Sequence, residues 1–268
     1  MTHSSEVPQL QLLWSQEFDS PQGTTPDPQY WSYQIGDGTE FGIPGWGNSE
    51  LEYYTSSNAI VDCSSNLVLL ATKTEPGASD EMCYYGPAQW LSSRIATAGK
   101  LGFKYGRIEA RIKAPIGGGA WPALWMLGSN IEAAPWPACG EIDIIELRGN
   151  APREVIGTVH GPGYSGEEGN GTSLWLDFDI ADDFHVFTVD WLPDHITWYL
   201  DGNEYFSLTA ESVAPKEWVF NHDFYLLLNL AIGGGFAGEV DPTLTSAQLA
   251  VDWIRHYSID GVGEVIHY

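Results

Sequence analysis

The sequence predicts an all-β protein, an antiparallel sandwich, and three observations carry that expectation. Apolar residues alternate with polar ones over several short segments, the signature of a half-buried strand. Helical periodicity is nearly absent. Glycine (30) and proline (16) are scattered along the chain with Asn and Asp, as turn punctuation between many strands. Leu67–Thr72 is the first clear strand. Tyr105–Ala114 (YGRIEARIKA) is the clearest, with Arg107, Glu109, Arg111 and Lys113 on one face and Ile108, Ala110 and Ile112 on the other. It stops at Pro115, and Gly117, Gly118 and Gly119 turn the chain into the apolar run AWPALWMLG. The β-branched run of GEIDIIEL (140–147) marks another strand. His195–Phe206 reads as a hairpin about Asp201-Gly202, a strong two-residue turn. Phe224–Ile232 and Leu249–Ile259 complete the set, and Thr245–Leu249 offers room for one helical turn. No repeat, linker or composition shift divides the chain, so residues 1–268 read as one domain with its core from about Leu10 to Tyr257.

Composition narrows the function classes. Eleven basic against 36 acidic side chains give a formal net charge of −25 in 268 residues. A chain with no cationic surplus is not expected to bind nucleic acid or an anionic membrane. It is not a disordered acidic tail, because hydrophobic residues are 43% and charged ones 18%. Aromatics reach 13%, with 12 Trp, and together with few cations they suit a neutral, ring-shaped ligand, although most aromatics of a β-protein belong to its core. No apolar run approaches the ~18 residues of a membrane span. The opening MTHSSEVPQLQLLW lacks the basic flank and apolar stretch of an intact secretory leader. Cys63, Cys83 and Cys139 lack metal-cluster or redox spacing. A Cys63–Cys83 disulfide and three inert thiols are both open.

The sharpest feature is the acidic triplet Glu141, Asp143 and Glu146. On a regular strand Glu141 and Asp143 share a face and Glu146 falls on the other. One extra residue, a β-bulge between Asp143 and Glu146, restores parity and brings all three together. Two glutamates so placed suit a retaining glycosidase with carboxyls ~5–5.5 Å apart, and the ~6.5–9.5 Å of an inverting one stays open. Neighbouring carboxylates repel, so at least one should hold its proton at neutral pH, as glycoside cleavage requires. Two other readings stand beside it: ligands for a hard cation, or exposed residues on opposite faces. Trp121 and Trp125 share a face of the preceding strand, and His160 lies on the next strand. Core tryptophans and a satisfied buried histidine are their plainer alternatives.

The strings GWGNSELEYYT (45–55), YGRIEARIKAPIGGGAWPALWMLG (105–128), GEIDIIEL (140–147), TVHGPGYSG (158–166), FHVFTVDW (184–191), NLAIGGG (229–235) and AQLAVDWIRHY (247–257) resemble bacterial laminarinases. These are endo-1,3-β-glucanases of glycoside hydrolase family 16, and the resemblance runs from about Trp14 to Tyr257. It implies a β-jelly-roll of two curved antiparallel sheets with a glucan cleft on the concave face. It implies Glu141 as nucleophile, Glu146 as acid/base and Asp143 as the residue that tunes both. Trp121 and Trp125 are expected to stack on sugar rings, with Asn48, Glu50 and Arg94 holding hydroxyls upstream. His160 is expected beside the leaving group, with Trp191 and Asn229 as further sugar contacts. A structural Ca²⁺ held by Glu17 and Asp252 is implied, although catalysis needs no cofactor. A secreted, extracellular, monomeric enzyme acting on β-1,3-glucan is the corresponding expectation. Mixed-linkage 1,3-1,4-glucan hydrolysis and a non-catalytic glucan-binding module are the alternatives. One departure is GGGFAG, where Phe236 precedes Ala237 and relatives carry Trp before Pro-Gly.

Overall fold

Strict alternation sets the centre of one sheet. In strand Gly106–Lys113, Ile108, Ala110 and Ile112 are buried while Arg107, Glu109, Arg111 and Lys113 are half-exposed. The cations on that outer face meet acids on the adjoining strands: Arg107 holds Asp190 through two hydrogen bonds, and Arg111 holds Asp252. The computed structural model describes residues 7–268, and this strand sits in its ten-stranded sheet between His185–Leu192 and Ser246–Ile259. The hairpin turn falls at Asp201-Gly202, both with positive φ, joining His195–Leu200 to Asn203–Thr209.

A nine-stranded sheet packs against the first. Six of its strands frame the acidic triplet and its surroundings: β1 (Arg94–Ala96), β2 (Ala120–Gly128), β3 (Glu141–Glu146), β4 (Glu154–His160), β5 (Asn170–Trp175) and β6 (Phe224–Ile232). Their order across the sheet is β5-β4-β3-β2-β6-β1, every pair antiparallel. All nine residues of β6 are buried, which is why it reads as a continuous apolar run and not as an alternating one. The core between the sheets is rich in large side chains, among them Trp90, Trp191, Trp198, Phe103 and Phe224.

The architecture is the expected two-sheet β-jelly-roll, with local differences. Glu52–Tyr54 and Trp90–Ser92 pair in parallel, an exception to the antiparallel rule. Thr245–Leu249 is no helical turn: strand Ser246–Ile259 starts there, because Ala247, Leu249 and Ala250 are buried beside Leu67–Lys73. Among the described residues two short α-helices lie elsewhere, at Ala210–Val213 and Gly234–Ala237. Ordered structure also runs past Tyr257, since Glu264–His267 pairs with Leu101–Lys104. Cys63, Cys83 and Cys139 are free thiols, which removes the Cys63–Cys83 disulfide. Burial pushes the Cys83 and Cys139 thiols up to about 11, so both stay protonated and inert.

Candidate active site

The extra residue of the acidic triplet is accommodated by a β-bulge. Asp143 pairs with Thr158 and Glu146 with Ile156, so three steps along β3 match two along β4. The ladder to β2 breaks at the same place, passing from Leu124–Ile145 to Trp125–Asp143. Ile142, Ile144 and Ile145 are buried in the core. On the core side Trp198 Nε1 donates to the Asp143 carbonyl at 2.8 Å, so a backbone group beside the bulge keeps a partner. Glu146 is thereby returned to the outward face with Glu141 and Asp143.

Each acid has its own surroundings. Trp136 Nε1 donates to Glu141 Oε2 at 2.7 Å, and Trp121 Nε1 donates to Glu146 Oε1 at 3.2 Å. Asp143, 2% exposed, lies between them. His160 Nε2 stands 3.2 Å from Asp143 Oδ2 and 3.8 Å from Glu141 Oε1. Burial, then the nearby Asp143 charge, raises Glu141 to about 8. Burial, then the Glu141 charge, raises Glu146 to about 7. Asp143 is raised well above the usual carboxylate range by burial and by Glu146. The three titrate as one cluster that retains protons at neutral pH. One ligand atom each of Glu141, Asp143 and His160 lie within 4.8 Å of one another. Carboxyls that retain their protons are poor cation ligands, because the proton must leave first.

A second constellation lies across β2 and β6. Arg94 is buried, with its guanidinium 4.1 Å from the Trp46 ring centre and 4.9 Å from that of Trp125. Its Nε donates to Gln34 Oε1 at 2.5 Å. Trp46 has φ 52°, uncommon for a bulky residue, and that backbone turn seats its indole against Arg94. A relay of hydrogen bonds ties the rest together. Asn48 donates to Glu50, the Tyr54 hydroxyl donates to Glu50, Asn229 donates to the Tyr54 oxygen, and Trp125 Nε1 donates to Asn229 Oδ1. The loop carrying Asn48 and Glu50 is pinned to the glycines after β6: Gly235 N–H donates to the Asn48 carbonyl, and a Cβ on Gly234 would come within 2.8 Å of that oxygen.

The structure therefore gathers Glu141, Asp143, Glu146, Trp121 and His160 into one group. Asn48 and Glu50, from a loop, join Arg94, Trp125 and Asn229 of the same sheet in a second. Trp191 is a correction. It is fully buried, donates to the Phe220 carbonyl at 2.8 Å and packs edge-on against Tyr105 and Phe224, so its strand in the ten-stranded sheet points it into the core. Glu17 and Asp252 are a second correction. Arg255 holds Glu17 through two hydrogen bonds and Arg111 holds Asp252, so guanidinium groups occupy the carboxylates expected to face a hard cation. In this arrangement the pair does not fit a Ca²⁺ site. Sequence reasoning passed over Trp136, Gln34, Trp46 and Tyr54. Trp136 sits in a stretch without periodicity, and its only signal is its position five residues before Glu141. Phe236 packs at a tilt of 34° against Trp121 with ring centres 4.7 Å apart, which places the GGGFAG departure at the edge of the site.

A proton-holding carboxyl cluster beside indole rings, on the outer face of a two-sheet jelly roll, is the site of a glycoside-cleaving enzyme. Residues 48–255 match the family described as glycosyl hydrolases family 16, and the chain belongs to that family. It is 37% identical over 267 residues to a "Beta-glucanase" of Rhodothermus marinus, covering 95% of this chain and 87% of that one. The laminarinase catalytic domain of Thermotoga maritima, solved with cetyltrimethylammonium bromide, is 47% identical with a TM-score of 0.87, over 93% of this chain and 98% of that chain. The endo-β-1,3-glucanase of Pyrococcus furiosus is 44% identical with a TM-score of 0.86, over 94% and 95%.

Proposed function

We propose that this glycoside hydrolase cleaves 1,3-β-glucosidic bonds inside β-glucan chains such as laminarin, with retention of configuration. The observation that carries this reading is the bulge, which sets Glu141 and Glu146 on one face with Asp143 between them, each outer carboxyl engaged by an indole N–H. Glu141 attacks the anomeric carbon while Glu146 gives its proton to the glycosidic oxygen, and the C–O bond to the leaving chain breaks. Glu146, now a carboxylate, takes a proton from water as that water displaces Glu141 from the anomeric carbon. The attacking form needs Glu141 ionised, and Trp136 and His160 both favour its anion. The proton of the inner pair then rests on Asp143, the most deeply buried of the three, donated toward Glu141. Glu146 at about 7 keeps its proton near neutrality, as an acid must.

The Arg94–Glu50–Asn229 constellation, two to three strands from the acids, is suited to hold the sugars upstream of the cleaved bond, with Trp125 between it and the acids. Carboxylate, amide and guanidinium groups match vicinal hydroxyls, and the indole faces match the apolar faces of the rings. The test is NMR of the first-formed anomer on laminarin. Retention delivers the β-anomer first, and an α-anomer first overturns the mechanism. Faster turnover of mixed-linkage 1,3-1,4-glucan than of laminarin would move the substrate assignment. Laminarin binding by pure protein without new reducing ends would replace the enzyme with a binding module.

A further inference from the structure

The outward face that carries the acids continues to the edge of its sheet, and the last strand presents an aromatic that the site above does not use. In the β4–β5 ladder, Thr158 pairs with Gly171, Ile156 with Ser173 and Glu154 with Trp175. Thr158 and Ile156 are themselves opposite Asp143 and Glu146. Directly opposed residues of an antiparallel ladder share a face, so Gly171, Ser173 and Trp175 stand on the face of the acids. Leu174, between the last two, packs into the core on the other side. Trp175 is 67% exposed, the most exposed tryptophan of the described residues.

An exposed indole alone needs no explanation; its position does. Glu154, directly opposite Trp175, is buried and held by Arg148 and by Ser173 Oγ. The Arg148 guanidinium lies 5.3 Å from the ring centre of Phe236, which packs against Trp121. A chain of side-chain contacts thus runs from Trp121, whose N–H is on Glu146, through Phe236, Arg148 and Glu154 to Ser173, two residues before Trp175 on the edge strand. From strand spacing and rise, Trp175 lies ~12 Å from Glu146, farther than one pyranose ring reaches. It lies on the opposite side of the acids from Arg94, which is on β1 at the other flank.

We propose that Trp175 is a stacking platform for the glucan chain on the leaving-group side, taking a sugar ring beyond the one bonded to the departing oxygen. The ligand class is a neutral β-glucan long enough to reach the edge strand. A pyranose face presents C–H groups to the electron-rich indole face, and a neutral chain is not repelled by the acidic surface. The proposal rests on the reading of Glu141 and Glu146 given above, which sets the direction of the chain.

The experiment compares wild type, Trp175→Ala and Trp175→Phe on laminarin and on laminaritriose. The ratio of kcat/KM on laminarin to that on laminaritriose is expected to fall about threefold to tenfold in Trp175→Ala, and Trp175→Phe should recover most of it. Laminarihexaose titrated into Glu141→Ser, with and without Trp175→Ala, should show a matching loss of affinity. An unchanged ratio together with unchanged affinity overturns the platform while leaving the catalytic reading intact. Wild type that leaves laminarin uncleaved overturns the catalytic reading instead. Sedimentation closes the remaining route: a wild-type dimer that Trp175→Ala dissolves, with glucan affinity unchanged, would make this edge a contact between two copies and overturn the proposal.

Discussion

The indole nitrogen of Trp136 stands 2.7 Å from Oε2 of Glu141, so an exposed loop residue donates a hydrogen bond to a carboxylate that burial otherwise pushes toward its protonated form. A donor that bonds the anion lowers the pKa, and removing it raises the pKa. Trp136→Phe should therefore shift the acidic limb of the kcat/KM profile to higher pH by about one unit, since a hydrogen bond to a charged group contributes ~1.5–3 kcal/mol and one unit is ~1.4 kcal/mol. A pH–rate profile of wild type and variant reads it directly, and coincident acidic limbs would remove Trp136 from the site.

Glu146→Gln keeps the shape and the Trp121 contact but has no proton to give. Hydrolysis of laminarin should drop by about 10²–10⁴ in kcat, the usual size of general-acid assistance. An aryl glucoside with an acidic phenol leaving group needs no such assistance and should retain far more of its rate in the first step. Equal losses on both substrates would argue against Glu146 as the acid.

Arg94→Lys preserves charge but removes the planar group between Trp46 and Trp125 and the bond to Gln34. An ammonium cannot reproduce that stacking or fork. KM for laminarin should rise about tenfold with a smaller change in kcat, because the group lies away from the reacting bond. Steady-state kinetics with both parameters resolved checks the split.

Trp191 contributes to stability and not to sugar binding. Trp191→Phe removes the bond to the Phe220 carbonyl, at a cost of about 1 kcal/mol plus repacking, and should lower Tm by roughly 2–4 °C for a chain of this size. KM should stay within about twofold of wild type. Thermal melts and kinetics on the same preparation separate this from a cleft residue, which would do the reverse.

Glu52 sits beside Glu50, fully buried, and accepts the Ile232 N–H at 2.6 Å. Burial, and then Glu50, holds it well above its ordinary 4.5. The folded state therefore keeps a proton that the unfolded chain has already lost, so stability declines as pH rises above about 4.5 toward the folded pKa. Glu52→Gln removes that decline. Its Tm should exceed wild type by about 3 °C at pH 8 and converge with it at pH 4.5. A Tm advantage of Glu52→Gln that is larger at pH 4.5 than at pH 8 would contradict the sign. The neighbouring Tyr54, Cys83, Tyr84 and Tyr85 stay protonated throughout that range, all raised by burial.

Much of this molecule was written in local order. The period of two in Arg107–Lys113 named the strand and its buried face, because a one-residue slip would put every isoleucine in water. The Asp201-Gly202 pair named the hairpin. The extra residue in E-x-D-x-x-E implied a bulge, since no regular strand brings Glu146 to the face of Asp143. Local order could not choose between tryptophans. Trp125 and Trp191 both lie in apolar strand segments, yet one meets Arg94 and Asn229 while the other meets Phe220 and Phe224. A period of two separates the faces of a strand but says nothing of which sheet it joins or what covers each face. The same holds for the acids of the opposite sheet, where Glu17 and Asp252 lost their expected cation to Arg255 and Arg111, partners 238 and 141 residues away. Trp136 and Trp175 reached the cleft by folding alone: one on a loop without periodicity, the other on an edge strand two ladders removed from the acids.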